Sequence, residues 1–116
     1  MSMTKEVVRE MMKERNVIVL NVLPLDDYKK IHIKNSENLP LAKRSETFVR
    51  MVDRLYGNKF YIITHSASVL CPSGPIAARA LKEHGYYADY YPGGIEEWVA
   101  AGFPIEGTEV ALFATR

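Results

Sequence analysis

His65-Ser66-Ala67-Ser68-Val69-Leu70-Cys71-Pro72-Ser73-Gly74-Pro75-Ile76-Ala77-Ala78-Arg79, HSASVLCPSGPIAAR, is the stretch on which the reading of this chain turns. Before it runs Phe60–Thr64, FYIIT, short, apolar and β-branched, as a strand buried on both faces should be. After it Ile76, Ala77, Ala80 and Leu81 recur at helical spacing, with Pro75 in the first turn and Gly85 just past the end. The segment between is therefore a loop that leaves a strand and enters a helix. In open α/β sheets ligands bind outside the carboxyl ends of the strands, so this loop is the first place to look for chemistry. It also holds the only cysteine of the chain, Cys71.

The same alternation extends outward in both directions. Toward the N-terminus, Val7, Val8, Met11 and Met12 mark an amphipathic helix over 4–14, and VIVLNVL, residues 17–23, is a second buried strand ended by Pro24. Residues 26–30 suit a short helix, and 32–40 a polar connection with a brief extended piece at Asn38-Leu39. A long helix opens near Ser45, carries Phe48, Val49, Val52, Leu55 and Tyr56, and closes at Gly57. Toward the C-terminus, residues 87–91 read as a strand, Pro92-Gly93-Gly94 as a turn, and 95–101 as a short helix stopped by Gly102. In the tail, FPIEGTEVALFATR, Val110 and Leu112 alternate, which fits either a strand or an arm. Strands alternating with helices over short connections predict one α/β domain over 1–116, its central, mostly parallel sheet flanked by helices on both faces.

Composition narrows the function classes. With 15 basic and 14 acidic residues in 116, the formal charge is +1, and bulk electrostatics gives no reason for binding nucleic acid or an anionic membrane. The N-terminus, MSMTKEVVREMMKERN, is charged throughout and lacks a signal-peptide core, and no run approaches the roughly 18 apolar residues of a membrane span. A cytoplasmic protein is expected. One cysteine makes no internal disulfide, and with three scattered histidines it makes no zinc pattern, so neither a metal nor a cofactor is expected.

Several short motifs, in order, carry a family resemblance. Asn21-Val22-Leu23, Asp27-Tyr28, Ile31-His32-Ile33 and Asn38-Leu39-Pro40 follow one another, and later come Gly85-Tyr86, Gly93 to Trp98 and Ala101 to Pro104. In order and spacing the chain resembles the rhodanese-homology domains, the sulfurtransferase family, over nearly its whole length. The resemblance implies a persulfide-forming cysteine at the start of the loop, and one branch of the family has a second cysteine five residues later. Here Ser66 stands at the position of the nucleophile and Cys71 at that of the second cysteine. Asn21, Leu23 and Ile31 replace the acid, arginine and glycine of the first signature.

Sulfur transfer needs a thiolate that becomes a persulfide, and a serine hydroxyl cannot take that part. Cys71 is then the only residue able to carry sulfur. Its place before a helix, where free N–H groups favour an anion, lowers a thiol pKa, and Arg79 in the second turn adds positive charge if it faces the loop. The alternative is a small apolar side chain tucked beside Leu70. The backbone of Ser66, Ala67, Ser68, Val69, Leu70 and Cys71 is a candidate anion cradle, with Asn21, Leu23 and Arg79 lining the pocket. Ser73 reads as a helix cap. His65 as a base lacks an acid to orient it, and His32 is expected to fix a turn. A phosphatase loop would need arginine where Pro72 stands, which excludes that chemistry. Two readings remain: a sulfane-sulfur carrier with a small sulfur oxyanion or persulfide as donor and a protein as acceptor, or an inactive module that binds anions or proteins.

Overall fold

The computed structural model describes residues 3–114; Met1, Ser2, Thr115 and Arg116, part of the 1–116 domain assignment, lie outside the described residues. In chain order the elements are α1 (Lys5–Met11), β1 (Val17–Asn21), α2 (Leu25–Lys30), β2 (His32–Ile33), β3 (Glu37–Asn38), α3 (Ser45–Tyr56), β4 (Tyr61–His65), α4 (Ser73–Glu83), β5 (Tyr87–Tyr90), α5 (Gly94–Ala100), β6 (Ile105–Glu106) and α6 (Ala111–Ala114).

Four strands form a parallel sheet in the order β3-β1-β4-β5. The central pair is in register from Val17↔Tyr61 to Asn21↔His65. Alternation along these strands feeds two cores. Leu20, Val22, Ile62 and Ala88 meet Phe48 and Val52 of α3 and Leu81 of α4 on one face. Val19 and Ile63 meet Val8 of α1 and Ile95 and Trp98 of α5 on the other. Both faces are covered, which is why β1 and β4 are apolar until their carboxyl ends, where Asn21, Thr64 and His65 stand. Each such valine, leucine, isoleucine or phenylalanine side chain contributes about 1.5–3 kcal/mol when fully buried.

The tail differs from the expected strand or arm. Ile105 and Glu106 pair antiparallel with Ile33 and His32, and the segment holding Leu112 turns into a helix of one turn. A two-residue strand leaves no period to read, so alternation at Val110 and Leu112 misled. In the connection 32–40 the extended piece expected at Asn38-Leu39 is present as β3 (Glu37–Asn38), and a second short strand, β2, was not expected. Ser73 is not the cap of α4: that position is Pro72, without a side-chain bond, and Ser73 is already helical.

His32 does fix a turn. Its Nδ1 lies 2.7 Å from the Tyr28 carbonyl oxygen and its ring stacks on Tyr28 at 3.8 Å. Trp98 is core, its Nε1 donating to the Pro104 carbonyl at 2.9 Å. No helix among the described residues is long and apolar enough to cross a membrane.

Candidate active site

From β1 the chain crosses to β3 on one side of the sheet, and from β4 it crosses through α4 to β5 on the other. The ends of β1 and β4 thus flank a topological switch point, where the crossovers leave a crevice open. The loop 66–72 rises from β4 at this point.

Both ends of the loop are clamped. The amides of Ile95 and Glu96, in the first turn of α5, donate to the carbonyl oxygens of Ser66 (3.0 Å) and Ala67 (2.9 Å). Gly94 makes that approach possible: its φ is +64°, and a Cβ there would lie 2.6 Å from the Ser66 oxygen. On the other side the Thr64 hydroxyl donates to the Gly74 carbonyl at 2.7 Å. With the carbonyls of 66 and 67 drawn toward α5, the amide of Ala67 is left facing the interior of the loop.

Within the loop, the Cys71 amide donates to the Ser68 carbonyl (3.1 Å) and the Leu70 amide to the Ser68 hydroxyl (3.3 Å). These two amides close the turn and are not offered to an anion. The Ser66 hydroxyl donates to the Cys71 carbonyl at 3.4 Å.

Cys71 is half-buried, and Leu70 beside it is 90% exposed, so the thiol is not tucked into an apolar niche. Burial is the largest single influence on the thiol and pushes its pKa up. The hydroxyl of Ser66, the amides of Ser73 and Ala67 and the hydroxyl of Ser73 together outweigh it, and the thiol lies below its ordinary value. These neighbours favour a negative charge on the sulfur. A cavity of about 90 Å³ opens beside it, bounded by Ser66, Val69, Pro75, Tyr90 and Tyr91. Tyr91 is held in place by donating its hydroxyl to Glu97 at 2.6 Å.

The other expected residues sit as follows. Ser66 is 3% exposed at the base of the loop. Asn21 is fully buried; its Oδ1 accepts the Leu23 amide at 2.9 Å, and its Nδ2 has no partner among the described residues. Leu23 and Ala67 line a separate, larger cleft. Arg79 faces solvent on the outer side of α4, its Nε 3.6 Å from Glu83 Oε2 and its side chain 82% exposed, so its charge is not directed at the loop. His65 is fully buried and neither ring nitrogen has a partner among the described residues. Burial first, and neighbouring His32 second, push its pKa down to about 3, which makes it a neutral core side chain. No lysine or arginine lines the thiol's cavity. Among the described residues no three His, Cys, Asp or Glu side chains converge as a metal site would require.

Gly94 and Tyr91 were not legible as site residues. The Pro-Gly-Gly turn signals a tight bend, but that its second glycine lies against the loop depends on contacts distant in sequence.

The model of the Rhodanese-like domain family matches residues 4–101. No curated protein matches the chain. Among solved structures, the BH2092 protein of Bacillus halodurans superposes with a TM-score of 0.80 at 24% identity, over 93% of this chain and 77% of that one. The rhodanese-like domain of the Anabaena Alr3790 protein gives 0.78 at 20% identity, over 95% and 81%. A rhodanese-related protein of Thermoplasma volcanium gives 0.73 at 21%, over 90% and 96%. At these identities the likeness concerns the fold.

Proposed function

Because this chain belongs to the Rhodanese-like domain family, we propose that it handles sulfane sulfur, with Cys71 as the residue that accepts and passes on the sulfur atom. The Cys71 thiolate attacks the outer sulfur of a thiosulfate or a persulfide. The donor's S–S bond breaks, sulfite or a thiolate leaves with the electron pair, and Cys71 carries a persulfide. A nucleophilic acceptor, such as the thiolate of a protein, then takes the terminal sulfur and Cys71 leaves as thiolate. The observation that supports this reading is the half-buried Cys71 at the edge of a cavity shared with Ser66, its thiol pKa held below the ordinary value, which favours the anion in both the attacking and the leaving role. Ser66, at the loop's first position, takes no sulfur; its hydroxyl, which donates to the Cys71 carbonyl, also helps to hold the thiol's pKa down.

Incubation with thiosulfate or glutathione persulfide followed by intact mass measurement tests the proposal. A gain of about 32 Da, removed by Cys71→Ala and by later addition of a thiol acceptor, is the expected result. No gain with either donor, or a gain that survives Cys71→Ala, overturns it.

The second reading, a module that binds without turnover, draws on the nearly complete burial of a hydroxyl at the loop's first position. Under that reading the loop still holds an anion, but neither donor leaves sulfur on the protein.

A further inference from the structure

A second cleft is larger than the thiol's cavity. It shares Ala67 of the loop in its lining and has a volume of about 510 Å³, within the range of small-molecule sites. Its apolar walls come from Leu23 after β1, Ile31 after α2, and Ile95 and Val99 of α5. Four charged side chains stand around these walls: the carboxylates of Asp27, Glu96 and Glu109, and the ammonium of Lys30. None of the four makes a side-chain hydrogen bond or ion pair among the described residues, so carboxylates outnumber cations there and none is neutralised by a neighbour.

One wall is built by the tail, beyond the stretch that the family model matches. The amides of Thr108 and Glu109 donate to the carbonyls of Lys29 and Lys30, each at 2.9 Å. Gly107 lets the chain come that close, with φ +134° and the Lys30 carbonyl against the place where a Cβ would stand. These bonds fix Glu109 at the cleft beside the end of α2. The cleft thus joins walls from the matched stretch to one from the tail beyond it.

We propose that the cleft binds a small molecule with an apolar body and an ammonium group, the body against Leu23, Ile31, Ile95 and Val99 and the ammonium among Asp27, Glu96 and Glu109. Desolvating an apolar chain against these walls drives binding, and the excess of carboxylate selects the sign of the head group. A carboxylate head on the same body meets like charge. The proposal does not depend on the sulfur chemistry of Cys71.

Hexylamine, hexanol and hexanoate share one apolar chain and differ in head group, which makes them suitable probes. Each is titrated into the whole protein while backbone amide resonances are followed by NMR. The expected result is that hexylamine shifts the amides of Ile31, Ala67 and Ala100 and binds at least about tenfold more tightly than hexanoate. Replacing the three carboxylates together (Asp27→Asn, Glu96→Gln, Glu109→Gln) should remove the preference for hexylamine over hexanol. Ala100→Trp, at an exposed position on the rim, should weaken all three probes. Cys71→Ala should bind hexylamine as the unaltered protein does. The proposal is overturned if hexanoate binds as well as hexylamine, if the shifts map outside the cleft, or if neither set of substitutions changes binding.

Discussion

The amide of Ile95 donates to the carbonyl oxygen of Ser66 across 3.0 Å, which joins the first turn of α5 to the first residue of the candidate active-site loop. The bond depends on Gly94, one residue earlier, whose conformation and lack of a side chain let the helix reach the loop. Gly94→Ala should therefore destabilise the domain by about 2–4 kcal/mol, from left-handed backbone strain and overpacking together. Gly85→Ala is the control: its φ is +87°, but no atom lies within 4 Å of the added carbon, so the cost should stay near 1 kcal/mol. Denaturant unfolding of the two variants makes the comparison. Equal losses would mean that contact with the loop contributes nothing.

A second prediction concerns the thiol. With two amides and two hydroxyls around it, Cys71 should react with iodoacetamide with a pH midpoint below that of an ordinary cysteine. Ser66→Ala removes one donor and should move the midpoint upward, while Ser68→Ala, whose hydroxyl serves the Leu70 amide, should leave it nearly in place. A midpoint unmoved by Ser66→Ala would detach the serine from the thiolate.

Ser66 can also be tested by gain. It is buried at the base of the loop and belongs to the same group of donors as Cys71. A thiol placed there meets the Ala67 amide at the start of the turn. The double variant Ser66→Cys, Cys71→Ala should take up sulfur from glutathione persulfide, whereas Cys71→Ala alone should not. Intact mass after brief incubation separates the two. Failure of the double variant, with Cys71 active in the parent chain, would show that the pocket is organised around position 71 alone.

What was readable in the sequence follows from the range of the interactions involved. VIVLNVL and FYIIT announce buried strands because burial on both faces removes polar alternates, and Phe48, Val49 and Val52 announce α3 because they share one helix face. The loop 65–74 could be placed at a strand's carboxyl end from these local patterns. The orientation of Arg79 could not. Half a helical turn separates a residue facing the loop from one facing solvent, and Arg79 lies on the solvent face beside Glu83, four residues on. The tail's pairing with β2 was hidden for a different reason: a strand of two residues shows no alternation. The partners of Gly94 and Gly107 are backbone atoms far away in sequence, and no local pattern encodes them.

The last prediction concerns acid stability. His65 ends β4 directly opposite Asn21 of β1, and both carry buried nitrogen atoms without partners among the described residues. In the folded chain burial holds the imidazole neutral down to about pH 3; unfolded, it takes up a proton near its ordinary value of about 6.5. Between these limits the unfolded chain binds more protons, so stability falls as pH is lowered through that window, by up to about 1.4 kcal/mol per pH unit from this one group. His65→Leu, of similar volume, removes the titrating group and two unsatisfied nitrogens at once. It should leave the chain as stable as the parent at pH 8 or slightly more so, and clearly more stable at pH 5. Urea unfolding at the two pH values is the measurement. A parallel loss of stability on acidification in parent and variant would show that His65 is already hydrogen-bonded, through water, in a way that tolerates its proton.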